Sequence, residues 1–473
     1  MLILSEHASR RPKLYFWSAG FISAIIILLV ILPSLKPEVF PYLKSLNIDT
    51  DPENMLDASE PVRLFHNKMK REFSLHDIVV VGVINNDHPQ GVFNVKTLTD
   101  IHELVGIAKT LVWNEKGETI GVIAGDLITP STVDNIEPGG LGTVRFEWLM
   151  AKPPANEEEA LSIAQKASRI PFLNNTLISA DQKAIALYLP ISSKKASYRV
   201  AKKLREKIAT FNSRDQYHIT GLPIAQDQFG VEMFRQMAIS APIAMLLIFL
   251  LMWLFFRNIK LILSPLLIAL ISVIFTMGLL VITGHTVHIM SSMIPIFIMP
   301  IAVLDAVHIL SDFFDKYPAI KDRKETIKRV MDELSTPMLY TSLTTCAGFG
   351  SLAFTPIPPV QVFGIFIAIG VVFAWLLTVT LIPAYVMLLS ETSLKNFGLK
   401  GSSSNRDHPS FLTRLLLQTG NLTFNHARMI VLATLILSGI AAYGITKIQI
   451  NDNPVKWFHK EHEIRIADRA LNE

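Results

Sequence analysis

The sequence predicts an α-helical polytopic membrane protein that carries an α+β domain outside the membrane. Three observations predict it. Half of the 473 residues are hydrophobic and the mean hydropathy is positive, which is high for a soluble domain. The apolar residues are gathered into seven long runs. The lysines and arginines cluster between alternate pairs of those runs.

The runs are Leu14–Leu32, Met237–Phe256, Leu261–Ile282, Ile289–Leu310, Thr336–Phe354, Phe363–Leu389 and Met429–Ile445. A membrane helix needs about 20 apolar residues, with roughly 17–25 tolerated. The fifth run is the least apolar, because it is rich in Thr, Ser and Gly, residue types that suit helix–helix contact. The first run is too long for a signal-peptide core and no small-residue cleavage site follows it. It reads as a retained first membrane helix.

Orientation follows from the basic residues. Arg10, Arg11 and Lys13 precede the first run, Arg257 and Lys260 separate the second and third, and Lys316, Lys321, Arg323, Lys324, Lys328 and Arg329 separate the fourth and fifth. Lys395, Lys400, Arg406 and Arg414 separate the sixth and seventh. The alternate loops, Thr283–His288 and Thr355–Val362, contain no Lys or Arg. The asymmetry places the N-terminus and the basic loops in the cytoplasm. The chain then divides into residues 1–35 (tail and first helix), 36–235 (extracytoplasmic α+β domain), 236–390 (helices two to six), 391–427 (cytoplasmic linker), 428–446 (seventh helix) and 447–473 (start of a second extracytoplasmic domain).

In the outer domain, Ile78–Ile84 reads as a buried strand, and Val95–Lys109 and Glu157–Ser168 as helices. Leu177–Ile178 and Lys183–Leu189 read as strands around a turn, Arg199–Phe211 as an amphipathic helix and Tyr217–Thr220 as a strand. From Ile224 the pattern is helical into the second run. The mixed-charge stretch Asp315–Leu334 reads as a helix along the inner membrane surface. His66, His76, His88 and His102 are scattered and read as surface histidines. No nucleophile–base pair, metal-ligand spacing or phosphate loop stands out, so neither an enzyme, a metal site nor a cofactor is expected. The net charge of +4 gives no indication of nucleic-acid binding, and the single cysteine, Cys346, forms no intrachain disulfide.

The fourth run carries the chemistry. Asp305 sits within it, with His308 three residues on, Pro295 and Pro300 before it, and Asp312 beyond. An ionisable side chain inside a membrane helix marks a functional site by default. Burial disfavours a charged carboxylate, so Asp305 is expected to take up a proton from outside and release it inward when a conformational change rehydrates it. Each proton crossing the membrane supplies about 2.3 kcal/mol per 100 mV. The competing reading makes Asp305 an interfacial residue near the end of its helix. His308 lies on the same helical face and relays the proton or bonds the carboxylate; alternatively it snorkels to the interface. Thr344 and Thr345 are candidates to line the proton path, against a reading in which their hydroxyls bond back to their own helix. Gly348, Gly364 and Gly370 are expected to permit close helix packing. Pro295 and Pro300 are expected to kink or break the fourth helix.

A short internal repeat is visible. Leu46–Pro52 (LNIDTDP) follows the first run, and Ile448–Pro454 (IQINDNP) follows the seventh. Met55-Leu56 and Trp457-Phe458 stand at the same offset. The implied repeat, of about 400 residues, comprises one helix, an outer domain and five helices. On that basis the chain is expected to be one half, plus the start of a second repeat, of a longer protein.

With these motifs the chain resembles the resistance–nodulation–division (RND) superfamily, in its MmpL-like exporter branch, related to Patched and the sterol-sensing proteins. The resemblance rests on Thr344-Thr345-Cys346-Ala347-Gly348-Phe349-Gly350-Ser351-Leu352, continuing through Pro359, Phe363-Gly364, Gly370 and Pro383-Ala384. Asp305 with His308, Ile219–Pro223 and Asp51-Pro52 match further family motifs, so nearly the whole chain is covered. Two positions depart: Ala306 stands where the family has Tyr, and Ile301 where it has Gly. The resemblance implies a porter fold for the outer domain and an RND-type repeat of one plus five helices, followed by the first helix of the second. It also implies a proton-driven exporter of a hydrophobic or amphiphilic, lipid-like substrate in a bacterial inner membrane. The partners would be membrane lipids, protons, that substrate, and either the missing C-terminal half or a second copy of the chain. The alternatives are a lipid- or sterol-sensing module without transport, which Ala306 and Ile301 favour, and an inactive half.

Overall fold

The computed structural model describes residues 2–49, 51–115, 117–140, 142–256, 258–390, 394, 411–449 and 453–472. Arg257, Lys395, Lys400 and Arg406 of the charge argument, most of the linker, and Thr50, Ile450, Asn451 and Asp452 of the repeat lie outside the described residues.

The chain opens with α1 (Leu2–Arg10) and the apolar α2 (Pro12–Leu35). Pro12 sits in the first turn of α2, where its missing N–H has no helical partner to lose. The α+β domain follows: β1 (Ile48–Asp49), α3 (Pro61–Glu72), β2 (Asp77–Ile84), α4 (Val95–Ala108), β3 (Val112–Glu115), β4 (Glu118–Gly121), β5 (Asp134–Gly140), β6 (Thr143–Trp148), α5 (Glu157–Ser168), β7 (Ala184–Ile191), α6 (Ser197–Ile208) and β8 (Gln216–Thr220). A three-stranded antiparallel sheet has the order β7–β2–β8, with Val81 opposite both Leu187 and Ile219. Period-two alternation buries Val79, Val81 and Val83 completely, in one core with apolar faces of α4, α5 and α6. Asparagines start two of these helices: Asn94 accepts from the Thr97 amide and Asn156 from the Glu159 amide.

The foreseen strands and helices of this domain are present to within a few residues, with one exception. Leu177–Ile178 forms no strand and meets the sheet only through a bridge from Ile178 to Ile185. The hairpins β3–β4 and β5–β6, which carry weak periodicity, and the amphipathic helix α3 were not foreseen.

The bundle comprises α7 (Leu222–Phe256), α8 (Ile259–Ile282), α9 (Ile294–Ile320), α10 (Arg323–Gly350) and α11 (Pro358–Leu388), with β9 (Val287–His288) between α8 and α9. Beyond the linker lie α12 (Phe411–Asn425), α13 (Ala427–Ile445) and α14 (Glu463–Asn472). Among the described residues, six helices are long and apolar enough to cross a membrane: α2, α7, α8, α9, α11 and α13. The fifth predicted run lies in α10, whose charged first half and hydroxyl-rich second half keep it outside that group, yet it packs between α9 and α11. Helix α7 is continuous from the end of the α+β domain through the apolar run.

The predicted surface helix over Asp315–Leu334 is instead a helical hairpin. Helix α9 runs on to Ile320, Lys321 turns in the left-handed region (φ 58°), and α10 starts at Arg323 with Asp322 capping the Glu325 amide. Lys316 bridges Asp312 at 2.9 Å and Glu333 at 2.6 Å, so Asp312 is held in an ion cluster that closes this hairpin.

Candidate functional site

Asp305 lies about three turns into α9. Beside it Ala302, Ala306 and Ile309 are buried in the apolar cluster that α9 shares with α8, α10 and α11. Asp305 itself is 8% exposed. Its one hydrogen bond among the described residues comes from α10, where the Ser342 hydroxyl donates to Oδ2 at 3.3 Å. Ser342 is buried to the same extent. A bond of that length is weak, so the carboxyl group is only partly satisfied by its protein partners.

The other predicted site residues are placed differently. His308, although three residues from Asp305, is exposed on the bundle surface. Thr344 is exposed and donates to the carbonyls of Tyr340 and Thr341; Thr345 is half-buried and donates to the carbonyl of Thr341. Both threonine hydroxyls are thus bonded within their own helix. The structure brings Ser342 to the carboxylate, one helical turn before Thr345. Ser342 was not singled out from the sequence because the rotation of α10 about its axis decides which hydroxyl faces α9. Ala306, at the position where the resemblance led to a Tyr being expected, is fully buried and brings no hydroxyl. The hydroxyl that reaches Asp305 therefore comes from another helix.

Gly364 and Gly370 serve close packing. A Cβ on Gly364 would lie 2.5 Å from the Phe349 carbonyl oxygen, and one on Gly370 2.5 Å from Ile298 Cδ1 and 2.6 Å from Thr276 Oγ1. Two expectations are corrected. A Cβ on Gly348 meets nothing within 4 Å, so that glycine packs against no described neighbour. Pro295 is the second residue of α9 and starts the helix instead of kinking it; Pro300 lies inside α9 and removes one donor from its ladder, while the helix stays continuous.

Two connections join this helix to the α+β domain, and ion pairs within the domain brace the second. Helix α7 crosses from one to the other. Strand β1, just after α2, pairs in parallel with β9, just before α9, bringing Asp49 to 3.5 Å from His288. The Asp49 carboxylate also accepts from Asn54, which in turn accepts from Arg63 of α3. Lys194, at the approach to α6, bridges Glu53 at 2.6 Å and Asp51 at 3.1 Å. Burial lowers the His288 pKa, with Asp49 opposing it, and the net shift is downward. For Lys194, burial also lowers the pKa, but the bonds and charges of Glu53 and Asp51 outweigh it and the net shift is upward.

These features define a multi-pass α-helical membrane protein with an α+β domain inserted between its first two apolar helices. Residues 150–411, more than half of the chain, match the model of the MMPL family. The chain belongs to the MMPL family, which places it among membrane transporters of the RND type. Comparison with curated proteins finds no match.

Proposed function

We propose that this chain is part of a proton-driven exporter of hydrophobic or amphiphilic, lipid-like molecules. The observation that carries this reading is Asp305: a carboxyl group 8% exposed inside an apolar bundle, with one weak hydrogen bond. An ionisable group so placed stays in a membrane protein chiefly where it binds a proton or ion. Ser342 suits both protonation states, because a hydroxyl donates to a carboxylate and accepts from a carboxylic acid. His308 takes part only if a further surface covers it, as an RND-type second repeat would. Thr344, which is also exposed, would line the proton path only under the same condition.

In this reading the α+β domain is the extracytoplasmic porter domain, the N-terminus is cytoplasmic, and the membrane is a bacterial inner membrane. The continuous helix α7, the β1–β9 pairing and the Lys194 bridges carry motion between substrate path and proton site. The test is proteoliposomes of the protein from its intact gene, with an imposed pH gradient and a fluorescent amphiphile as probe. Gradient-dependent export that is lost in Asp305→Asn at normal expression is the expected result; unchanged export would sink the proposal. A second reading, a lipid-sensing module without transport, rests on Ala306 and Ile301, where the sequence departs from the family pattern. Lipid binding indifferent to the gradient in the same vesicles would favour it.

A further inference from the structure

A cavity of about 480 Å³ opens where β1, the approach to α6 and the first turns of α7 meet. Gln226 and Asp227, which line it, lie within the first two turns of α7. The apolar run of that helix begins further along, at Met237, about 15 Å down the axis from Asp227. The wall carries the carboxylates of Asp49, Asp51, Asp77 and Asp227 against the ammonium groups of Lys194 and Lys195. Carboxylates therefore outnumber cations around the space.

Most of these groups are already matched. Asp49 accepts from Asn54 at 2.6 Å and faces His288, Asp51 meets Lys194 at 3.1 Å, and Asp77 meets Lys70 at 2.9 Å. Lys194 is also engaged by Glu53. Two neighbouring groups on α7 are not matched. Gln226 is 6% exposed, yet its Oε1 has no hydrogen-bond partner among the described residues, and neither has Oδ2 of the half-buried Asp227. Lys195 stays exposed instead of turning in to them. A buried acceptor without a donor is costly, and a charged one more so. Both orphaned atoms are acceptors and one belongs to a carboxylate, so the group that completes them donates hydrogen bonds and carries positive charge.

We infer that this cavity binds a primary ammonium group, the head of a cationic amphiphile, with Asp227 and Gln226 as its acceptors. Successive residues of a helix project about 100° apart. An ammonium group, with three rotatable donors, suits acceptors so arranged, whereas a guanidinium fork needs them in one plane. A metal ion fits less well, because among the described residues no three His, Cys, Asp or Glu side chains are placed to hold one. The path for an apolar tail is also present. Ile48 and Pro223 stand in the wall, and Val231, one turn below Asp227 on the same helix face, is exposed on the way to the apolar run. The inference deepens the transport reading, on which it rests for the amphiphile's role as cargo.

The test is fluorescence anisotropy of dansylcadaverine, a primary alkylammonium with an apolar fluorophore. The protein from its intact gene is held in phosphatidylcholine nanodiscs without a gradient, and empty nanodiscs serve as the blank. Saturable binding is expected. The N-acetyl analogue, which loses the charge, and the N-trimethyl analogue, which keeps the charge but loses the donors, are each expected to bind at least about tenfold more weakly. Asp227→Asn is expected to weaken the parent probe about ten- to hundredfold, and Gln226→Met, which keeps the side-chain volume, about two- to tenfold. Thermal unfolding of both variants is expected at or above the parent midpoint, since each removes an orphaned acceptor or charge. The analogues test the same point on the unaltered protein, should a variant fail to fold. Equal binding of the three probes, no saturation above the blank, or folded variants that bind like the parent overturns the inference. No gradient is applied, so failure here leaves the Asp305 reading standing, and failed export with intact binding counts against Asp305 alone.

Discussion

Three glycines of one sequence motif are predicted to respond in opposite directions to the same substitution to Ala. In α10, Gly348→Ala adds a methyl group that meets nothing within 4 Å. Only the helix propensity changes, a gain of up to about 1 kcal/mol. In α11, Gly370→Ala places the methyl 2.5 Å from Ile298 Cδ1 and 2.6 Å from Thr276 Oγ1, both on fully buried side chains. The Thr276 hydroxyl donates to the Ser272 carbonyl at 2.7 Å, so displacing it loosens a buried hydrogen bond. Overpacking costs about 1–3 kcal/mol and the weakened bond about 1 kcal/mol. The propensity gain offsets about 1 kcal/mol, leaving a net loss of about 1–3 kcal/mol. Gly364→Ala is worse, because the methyl meets the Phe349 carbonyl oxygen at 2.5 Å, and a backbone atom cannot rotate away. Its cost is expected at or above the upper end of that range, about 3 kcal/mol. The assay is tryptophan-fluorescence thermal unfolding of residues 1–473 in detergent. The expected order of midpoints is Gly348→Ala at or above the parent, then Gly370→Ala, then Gly364→Ala. If Gly348→Ala unfolds as early as Gly370→Ala, or Gly364→Ala is neutral, the assigned helix contacts are wrong.

Further outcomes follow from the polar groups. Ser342→Ala is expected to slow gradient-driven export by less than about tenfold, since a 3.3 Å bond contributes no more than about 1 kcal/mol; Asp305→Asn is expected to abolish it, as vesicle assays at matched expression would show. At Asp215, burial raises the carboxyl pKa, the Asp100 charge adds to it, and bonds from Thr97 and Asn85 oppose it. The unfolded chain ionises first as pH rises, so the folded domain carries a penalty that grows through the carboxyl range and persists at neutral pH. Asp215→Asn keeps an oxygen for Thr97 and Asn85 and is expected to slow amide exchange in β2 and β8 at neutral pH, with the advantage disappearing in acid. The lowered His288 pKa predicts that the β1–β9 pairing is intact above the ordinary imidazole pKa of about 6.5 and weakens as pH falls through the depressed folded value. Protection of the Val287 amide, which donates to the Asn47 carbonyl at 2.8 Å, should fall in mild acid, and His288→Gln should remove that dependence.

Membrane class, six of the seven apolar spans and a charge inside the run at Asp305 were legible in the sequence, because hydropathy and a lone charge in an apolar run act through the residue itself. The same holds for the buried strand Ile78–Ile84, the helices capped by Asn94 and Asn156, and the unbroken passage from the α+β domain into α7, where periodicity reports burial directly. What touches Asp305 was not legible. Ser342, Thr344 and Thr345 are all hydroxyl residues within one turn of α10, and only the packing of α10 between α9 and α11 turns Ser342 inward and leaves Thr344 outside. Likewise Gly348, Gly364 and Gly370 read alike in a motif, while the neighbouring helices decide which of them is crowded. The first copy of the repeat and its second copy also read alike; tertiary structure alone buries Ile464 of α14 and leaves Val62, the matching residue of α3, bare. Composition and period act within a few residues along the chain, whereas which face of a helix meets a partner depends on groups hundreds of positions away.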